Sequence, residues 1–418
     1  MSREGPRRVV VTGLGAVSGL GVGAGIQFQK ALQCQSGIVA FSRSTAIPVD
    51  LPCASIIQDS LVIDLDASLL GMFDRAAHLS WLVAKEALGQ SGIGNLNEEE
   101  LDQSGIFWGT GFGGSTALDS AYQDLYLNAK QRVRPFTVIG VMANGAAGLL
   151  SMQTGFKGPS LTYSTACASS SHAVGEAFRS IKYGFCERAI AGGAESLFNA
   201  GPIKAWEALR TLASPDPENI SSSCKPFSKN RSGFVLGEGA AALVLESLES
   251  ALKRGATILG EIVGYGATTD AAHITRPDPV GQAKAMKACM TEAAINSMDI
   301  AYINAHGTAT GVGDIAETHS IKSAFGLDAA NKTSISSTKA IHGHTLGAAG
   351  ALELVITLQA LQSNIAPGTA FLNIADPDCD LNYLPLQSID LEIQYAMSNS
   401  FAFGGSNASI LVSKLRKT

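Results

Sequence analysis

Two stretches decide how this chain folds: residues 162–177, TYSTACASSSHAVGEA, and residues 334–353, SISSTKAIHGHTLGAAGALE. Each opens on a strand-like run, crosses a short turn and continues into a helical segment dense in Ala, Ser and Gly. Small side chains on such helices let backbones approach closely, and the twofold occurrence points to an internal duplication around a buried central layer. Outward from these stretches, short apolar runs ending in glycine recur at 8–12, 105–108, 189–191, 241–245 and 261–263. Further runs follow at 302–304 and 334–336, and a pair at 395–399 and 408–414 flanks Gly404 and Gly405 as a hairpin. Helical patterns lie between them at 76–88, 169–183, 202–212, 281–294 and 348–362. Strand and helix alternating at this rhythm predict an α/β fold with buried central strands. A charged segment at 247–255 separates two halves, 1–250 and 251–418. No Pro-rich or Ser-rich linker lies between them, so one compact unit is expected.

Composition narrows the function classes. The 418 residues are 46% hydrophobic and only 16% charged, against about 25% charged in an average soluble chain, so a large buried fraction, including a subunit interface, is expected. A net charge of −6 without a clustered basic surface argues against nucleic acid as a partner. Seven cysteines with no CxxC pair fit a reducing compartment. The N-terminal Arg residues before an apolar run superficially resemble a secretion signal, but the Gly density favours a strand and turn. The most apolar window, 136–152, contains Asn144 and three Gly and is shorter than the roughly 20 residues a bilayer span needs. A soluble, cytoplasmic protein without a membrane segment is the expectation.

Cys167 sits where the first strand meets its helix. The free N–H groups and partial positive charge of a helix N-terminus favour a thiolate, which predicts a lowered thiol pKa and a nucleophile. A buried small residue is the competing reading. Histidines cluster late, His306 in NAHGTATGVGD and His342 and His344 in STKAIHGHTLGAAG, with Lys339 five positions before His344. Paired neutral imidazoles can donate two N–H groups to one developing oxyanion. A metal is the competing use of HxH, but no further ligand spacing matches and the lysine repels a cation, so no metal site is expected. Gly109–Gly114 fits GxGxxG, yet no second strand ending in an acidic residue follows, and the SxxK at 336–339 lacks its companion motifs.

Taken together, RRVVVTGLGAVS, GPSLTYSTACASS, AGGAES, GFVLGEGAA, NAHGTATGVGD, SSTKAIHGHTLGAAGALE and SNSFAFGGSNAS resemble, in order and spacing, the β-ketoacyl-acyl-carrier-protein synthases of the elongating type in the thiolase superfamily. The resemblance implies a duplicated five-layered α-β-α-β-α thiolase sandwich, an obligate dimer, and decarboxylative condensation of an acyl thioester with malonyl carrier protein. By motif position Cys167 matches the acyl-accepting nucleophile. His306 and His344 match the decarboxylating pair, Lys339 the site lysine and Glu353 its acidic partner. The N–H groups of Cys167 and Phe403 match the oxyanion hole, with Phe401, Ala402 and Gly404 in the gating loop. Thr308 and Thr310 match the threonines along the phosphopantetheine and malonyl approach. The Cys-His-His set separates the chain from ketoacyl synthase III, which uses Cys-His-Asn, and from degradative thiolase, which uses a second Cys. No cofactor is implied beyond the phosphopantetheine that the acyl carrier protein brings.

Several positions depart from the family pattern. Phe112 stands where Ile or Gly usually lines the acyl tunnel, and Thr137 where many relatives project a Phe across the dimer interface, a pairing that implies a redesigned pocket. Ala402 replaces a common Gly in the gating loop, which would hinder any state needing φ > 0 there. Ser228 replaces a common Asp. The segment after Leu61 lacks the usual docking lysines, leaving Arg210, Lys130, Arg132 and Arg134 as candidate contacts for the carrier. These departures suit a specialised synthase of polyene, aryl polyene or type II polyketide pathways, working as a homodimer or with a chain-length-factor-like partner. Housekeeping fatty-acid elongation, and a non-catalytic partner subunit, are the alternatives.

Overall fold

The apolar runs of the first half form five strands: β1 (Val9–Ser18), β2 (Ser104–Gly109), β3 (Ser160–Tyr163), β4 (Arg188–Glu195) and β5 (Gly239–Ser247). Those of the second half form five more: β6 (Gly260–Thr269), β7 (Ile300–Asn304), β8 (Ser334–Ser336), β9 (Tyr395–Phe401) and β10 (Ser406–Ser413). In this computed structural model, which describes residues 5–58 and 60–416, the strands run in the order β8-β7-β9-β10-β6-β1-β5-β4-β2-β3. Met1–Glu4, the start of the N-terminal stretch read above as strand and turn, lie outside the described residues.

Counted within each half, the order is the same: third, second, fourth, fifth, first. The pairing senses agree too. The second strand is parallel to the third and the fourth, while the fifth is antiparallel to the fourth and the first. The halves meet where Val9–Val11 of β1 pair antiparallel with Gly260–Ile262 of β6. Parallel neighbours require long crossovers, usually helical, so the helical patterns between the runs become the covering layers.

Helices α1 (Arg75–Ser91) and α2 (Gly145–Thr154) pack on the first sheet. Helix α5 (Pro279–Ala293), backed by α6 (Gly311–Phe325), packs on the second. Between the sheets lie α3 (Ser169–Lys182) and α7 (Ala349–Ser363), each touching strands of both halves, which gives the five layers implied by the resemblance. The charged segment at 247–255 becomes a short helix, Leu248–Lys253, before β6.

The central helix α7 is apolar on every side, as a helix with no water-facing stripe must be. Leu352, Leu354, Val355, Ile356, Leu358 and Leu361 are all buried, each contributing about 1.5–3 kcal/mol before ordering costs. By length and composition Leu346–Ser363 could cross a bilayer, but 83% of it is buried inside the fold. Helices α2 and α6 escape pattern reading for related reasons. Small residues blur the first, and buried Asp314, Glu317, Thr318 and Ser320 interrupt the apolar stripe of the second.

Glycine makes the central contact possible. A Cβ on Gly350 of α7 would stand 1.9 Å from Ser171 Oγ of α3, and one on Gly109 at the end of β2 would stand 2.3 Å from Ser170 N. The second obstacle is backbone and cannot rotate away. Gly109→Ala should therefore destabilise the protein by about 1–3 kcal/mol, the range for overpacking. An unchanged denaturation midpoint would show that the sheet and α3 can separate without cost.

Candidate active site

Each half ends its third strand in the same way. After β3 the chain turns through Ala166, at φ 48°, into a one-turn segment Ala166–Ala168 that carries Cys167 to the head of α3. After β8 it passes through the short helix Lys339–His342 and turns through Leu346, at φ 47°, into Leu346–Ala348 at the head of α7. A left-handed non-glycine residue costs about 1–2 kcal/mol, and both elbows carry one. Gly347 thus occupies in the second half the place of Cys167 in the first.

The late histidines converge on the thiol. His344 Nε2 lies 3.0 Å from Cys167 Sγ, while His344 Nδ1 accepts the Leu346 N–H at 3.2 Å. An imidazole that accepts at Nδ1 carries its hydrogen on Nε2, so the N–H points at the sulfur. The His306 ring stands 5.5 Å from that of His344, nearly perpendicular to it. Lys339 Nζ donates to the His306 carbonyl at 2.6 Å, lies 3.4 Å from His306 Nδ1 and forms an ion pair with Glu353. With the lysine beside Nδ1, the His306 N–H also lies on Nε2.

Burial, then the Lys339 charge, holds both imidazoles well below the ordinary histidine pKa, so each is neutral. Burial also pushes the Cys167 thiol up to about 12, against the opposing pull of Lys339 and of the Phe403 and Cys167 N–H groups. This corrects the expectation of a lowered thiol pKa: at a fully enclosed helix head, desolvation outweighs the N-terminal field. Charge on this sulfur therefore depends on the donors gathered around it.

Cys167, His306 and His344 bring three potential metal-binding atoms, one sulfur and two nitrogens, within 4.8 Å of one another. The Lys339 ammonium stands against the same imidazole, and His342 turns away, bonding the Gly343 carbonyl at 2.7 Å and Thr338 Oγ1 at 3.0 Å. The HxH residues do not share a site. At the GxGxxG loop, Glu195 accepts the N–H groups of Gly111 at 2.6 Å, Phe112 at 3.2 Å and Gly347 at 3.1 Å. A carboxylate thus occupies the donors that a phosphate would need.

The thiol opens into two cavities. One, of about 270 Å³, runs past His306, Thr308, Thr310 and Phe401 to an outer rim. Thr308 and Thr310 join by their hydroxyls at 2.9 Å. The other, of about 220 Å³, is walled by Phe112, Trp206, Leu346 and Phe403. Trp206 joins this wall together, 6.3 Å from Phe112, 6.2 Å from Phe403 and 5.4 Å from Phe234, whose ring meets His344 edge-on. Sequence reading missed Trp206, which lies in no motif, and the part played by Phe234, which sits unremarked within the GFVLGEGAA stretch. It also missed Glu317, eleven positions after His306, whose carboxylate accepts the His306 and Gly307 N–H groups at 2.8 and 2.7 Å.

Other predicted residues are not brought together. Thr137 heads a short helix, Thr137–Val141, and lines a separate cavity with Phe73, Arg134 and Phe136, away from the thiol. Lys130 pairs with Asp124 at 2.8 Å, Arg132 is exposed, and Arg210 closes the helix Ala200–Leu209 three residues earlier than the pattern suggests. Ala402 is extended, at φ −115°, so alanine fits this loop state without strain; Gly404 and Gly405 take the left-handed positions. The Ser228 hydroxyl lies 2.6 Å from Asn230 Oδ1 and 2.9 Å from the Ile374 carbonyl, with one hydrogen to share between them.

The fully buried Lys339–Glu353 pair sets a testable cost. Glu353→Ala leaves the lysine uncompensated and should destabilise by about 3–5 kcal/mol, whereas Lys339→Met with Glu353→Leu should recover most of that loss. Denaturant unfolding decides: equal stability of the single variant and the parent would mean the lysine carries no buried charge.

Comparison with known proteins agrees with this geometry. The model of the beta-ketoacyl synthase N-terminal domain matches residues 6–251, and that of the C-terminal domain matches residues 259–373. The 3-oxoacyl-[acyl-carrier-protein] synthase 2 of Staphylococcus aureus (strain COL) is 39% identical over 411 residues, 98% of each chain. A type II polyketide ketosynthase, solved with its acyl-carrier protein and a bound hexaketide, superposes with a TM-score of 0.90 at 28% identity, covering 98% of this chain and 100% of that one. The ishigamide ketosynthase/chain length factor does so with the same score, identity and coverage. Matched in both halves by the family's models and end to end by a relative 39% identical, the chain belongs to the beta-ketoacyl synthase family.

Proposed function

We propose that the two halves, 1–250 and 251–418, supply respectively the nucleophile and the decarboxylating residues for extension of a carrier-bound acyl chain by two carbons. The contact of 3.0 Å between Cys167 Sγ and His344 Nε2, beside His306 and Lys339, carries this reading. In the first half-reaction Cys167 attacks the thioester carbonyl of an acyl carrier protein. The bond to the carrier sulfur breaks and the thiol proton ends on that sulfur. The N–H groups of Cys167 and Phe403 receive the oxyanion, a task worth about 10²–10³ in rate for a single donor.

Malonyl carrier protein then enters past Thr308 and Thr310. The carbon–carbon bond to its carboxylate breaks, CO2 leaves, and the thioester oxygen takes the enolate charge between His306 and His344. Neutral imidazoles suit this role because they donate without protonating the carbanion. The enolate carbon attacks the acyl-Cys167 carbonyl, the thiolate departs and recovers a proton, and 3-oxoacyl carrier protein is released. The phosphopantetheine arrives with the substrates, so the scheme uses no resident cofactor. Seven unpaired cysteines support a cytoplasmic setting. The apolar residues exposed along Tyr126, Phe136, Val138, Met142 and Leu161 support a dimer, with a second copy or with a chain-length-factor-like homologue.

The acyl chain is of the polyene, aryl polyene or type II polyketide kind. The aromatic wall of Phe112, Trp206 and Phe403 supports this, since flat rigid chains pack well against rings. Housekeeping fatty-acid elongation is the second reading, favoured by the full-length similarity to the staphylococcal enzyme. A silent partner subunit is disfavoured by the presence of Cys167 beside His344.

Intact-mass analysis with carriers bearing saturated, polyunsaturated and aryl-primed chains should show one adduct per chain on the parent and none on Cys167→Ala. An adduct on the variant would sink the nucleophile assignment, and exclusive loading of long saturated chains would favour elongation. Phe112→Gly removes one wall of the second cavity and should admit saturated chains several-fold faster. Unchanged chain selectivity would remove Phe112 from the acyl pocket.

A further inference from the structure

The larger cavity is lined by Cys167, Thr308 and Thr310 and reaches the surface at Leu209 and at residues 273–276, of which His273, Ile274 and Arg276 are exposed. Two guanidinium groups stand there. Arg210 lies between two lining residues, and Arg276 is itself an exposed lining residue. Among the described residues neither has a carboxylate within ion-pair distance, although most other cations of the chain do. Leu209, Ile274 and Val312 surround them as exposed apolar groups.

The turn that holds Arg276 is firmly built. His273 Nδ1 accepts the N–H groups of Thr275 at 3.1 Å and Arg276 at 3.2 Å, and Asp278 donates its N–H to Asp270 Oδ2 at 3.0 Å. Two backbone bonds tie the turn to the gating hairpin, Gly404 N–H to the Ile274 carbonyl at 2.8 Å and Asp270 N–H to the Gly405 carbonyl at 2.9 Å. The backbone that carries Arg276 is thus fixed relative to the hairpin of Phe403, whose N–H faces the thiol. By contrast, the segment after Leu61 presents Asp64 and Asp66 instead of lysines, and Asp64 is paired with Lys85.

An unpaired guanidinium at the mouth of a channel with a thioester site at its far end meets whichever charged group the entering chain carries there. For a phosphopantetheine thioester that group is the phosphodiester at the root of the arm, and the planar fork of arginine matches its oxygens. Resting on the carrier-dependent reading above, we infer that Arg276 binds the phosphodiester of the carrier's prosthetic arm and is the main charged contact at this entrance. The basic contact thereby sits on the turn fastened to the gating hairpin.

Acylation rates of Cys167 test this with two small substrates, an acyl-phosphopantetheine and the same acyl-pantetheine without phosphate. The parent should prefer the phosphorylated thioester by about 10-fold, the effect of one charge-assisted hydrogen bond. Arg276→Ala should abolish that preference while leaving the rate with acyl-pantetheine unchanged, and Arg276→Lys should keep part of it. No preference in the parent, or an intact preference in Arg276→Ala, overturns the inference; the first outcome would point to the carrier's own acidic side chains as the partner. Equal losses with both substrates also overturn it. Failure of every thioester to acylate Cys167 would instead overturn the carrier-dependent reading, and this inference with it.

Discussion

Everything in this molecule depends on how closely two small-residue helices lie between two sheets. Gly109 at the end of β2 and Gly350 on α7 leave no room for a Cβ, and Ser170 and Ser171 of α3 fill the remaining space. Because of that approach the heads of both helices, and the loops after β2, β4, β7 and β9, crowd into one volume. Cys167 arrives from one half, and His306, His344 and Lys339 from the other. The 3.0 Å approach of His344 to Cys167, 177 residues apart, follows from that helix contact.

One charge governs the chemistry inside that volume. Lys339 is wholly buried, and its partners are Glu353 and the carbonyl and ring of His306. Such a pair contributes little net stability, because desolvating two ions offsets their attraction. Its effect is on neighbours: it lowers the affinity of both imidazoles for protons and eases the thiol toward its charged form. Glu353 itself is raised to about 7 by burial against the pull of Lys339, and Glu195 and Glu317 reach about 7 by burial while accepting backbone N–H groups. The volume around the thiol is thus lined by groups whose ordinary ionisation has been suppressed.

Much of this was legible in the sequence. Strands and central helices were readable because alternating apolar runs and small-residue helices have no other use, and the motif residues located Cys167, His306, His344, Lys339 and Glu353 in one place. What escaped shares a physical cause. Trp206 and Phe234 act through ring packing, which leaves no spacing to read. Glu317 and Asp314 act through backbone amides, and a buried acid on a helix resembles a break in its apolar stripe. The thiol pKa was misread because a helix head is legible in sequence, whereas its burial is a property of the assembled fold. Thr137 and Phe112, paired by family position, line different cavities of the single chain.

The duplicated elbow at Leu346 shows why only one half carries a thiol at this place. Any side chain at Gly347 would begin 2.4 Å from the Gly111 nitrogen and 2.6 Å from Glu195 Oε2. The amide at 347 is already committed to that carboxylate, which also binds Gly111 and Phe112 and so stitches the second elbow to the loop beside the smaller cavity. The vacant seat has become a fastening. Symmetry could be restored only by dismantling the wall that holds Phe112, so the division of labour between the halves is locked by packing as well as by the identity of one residue.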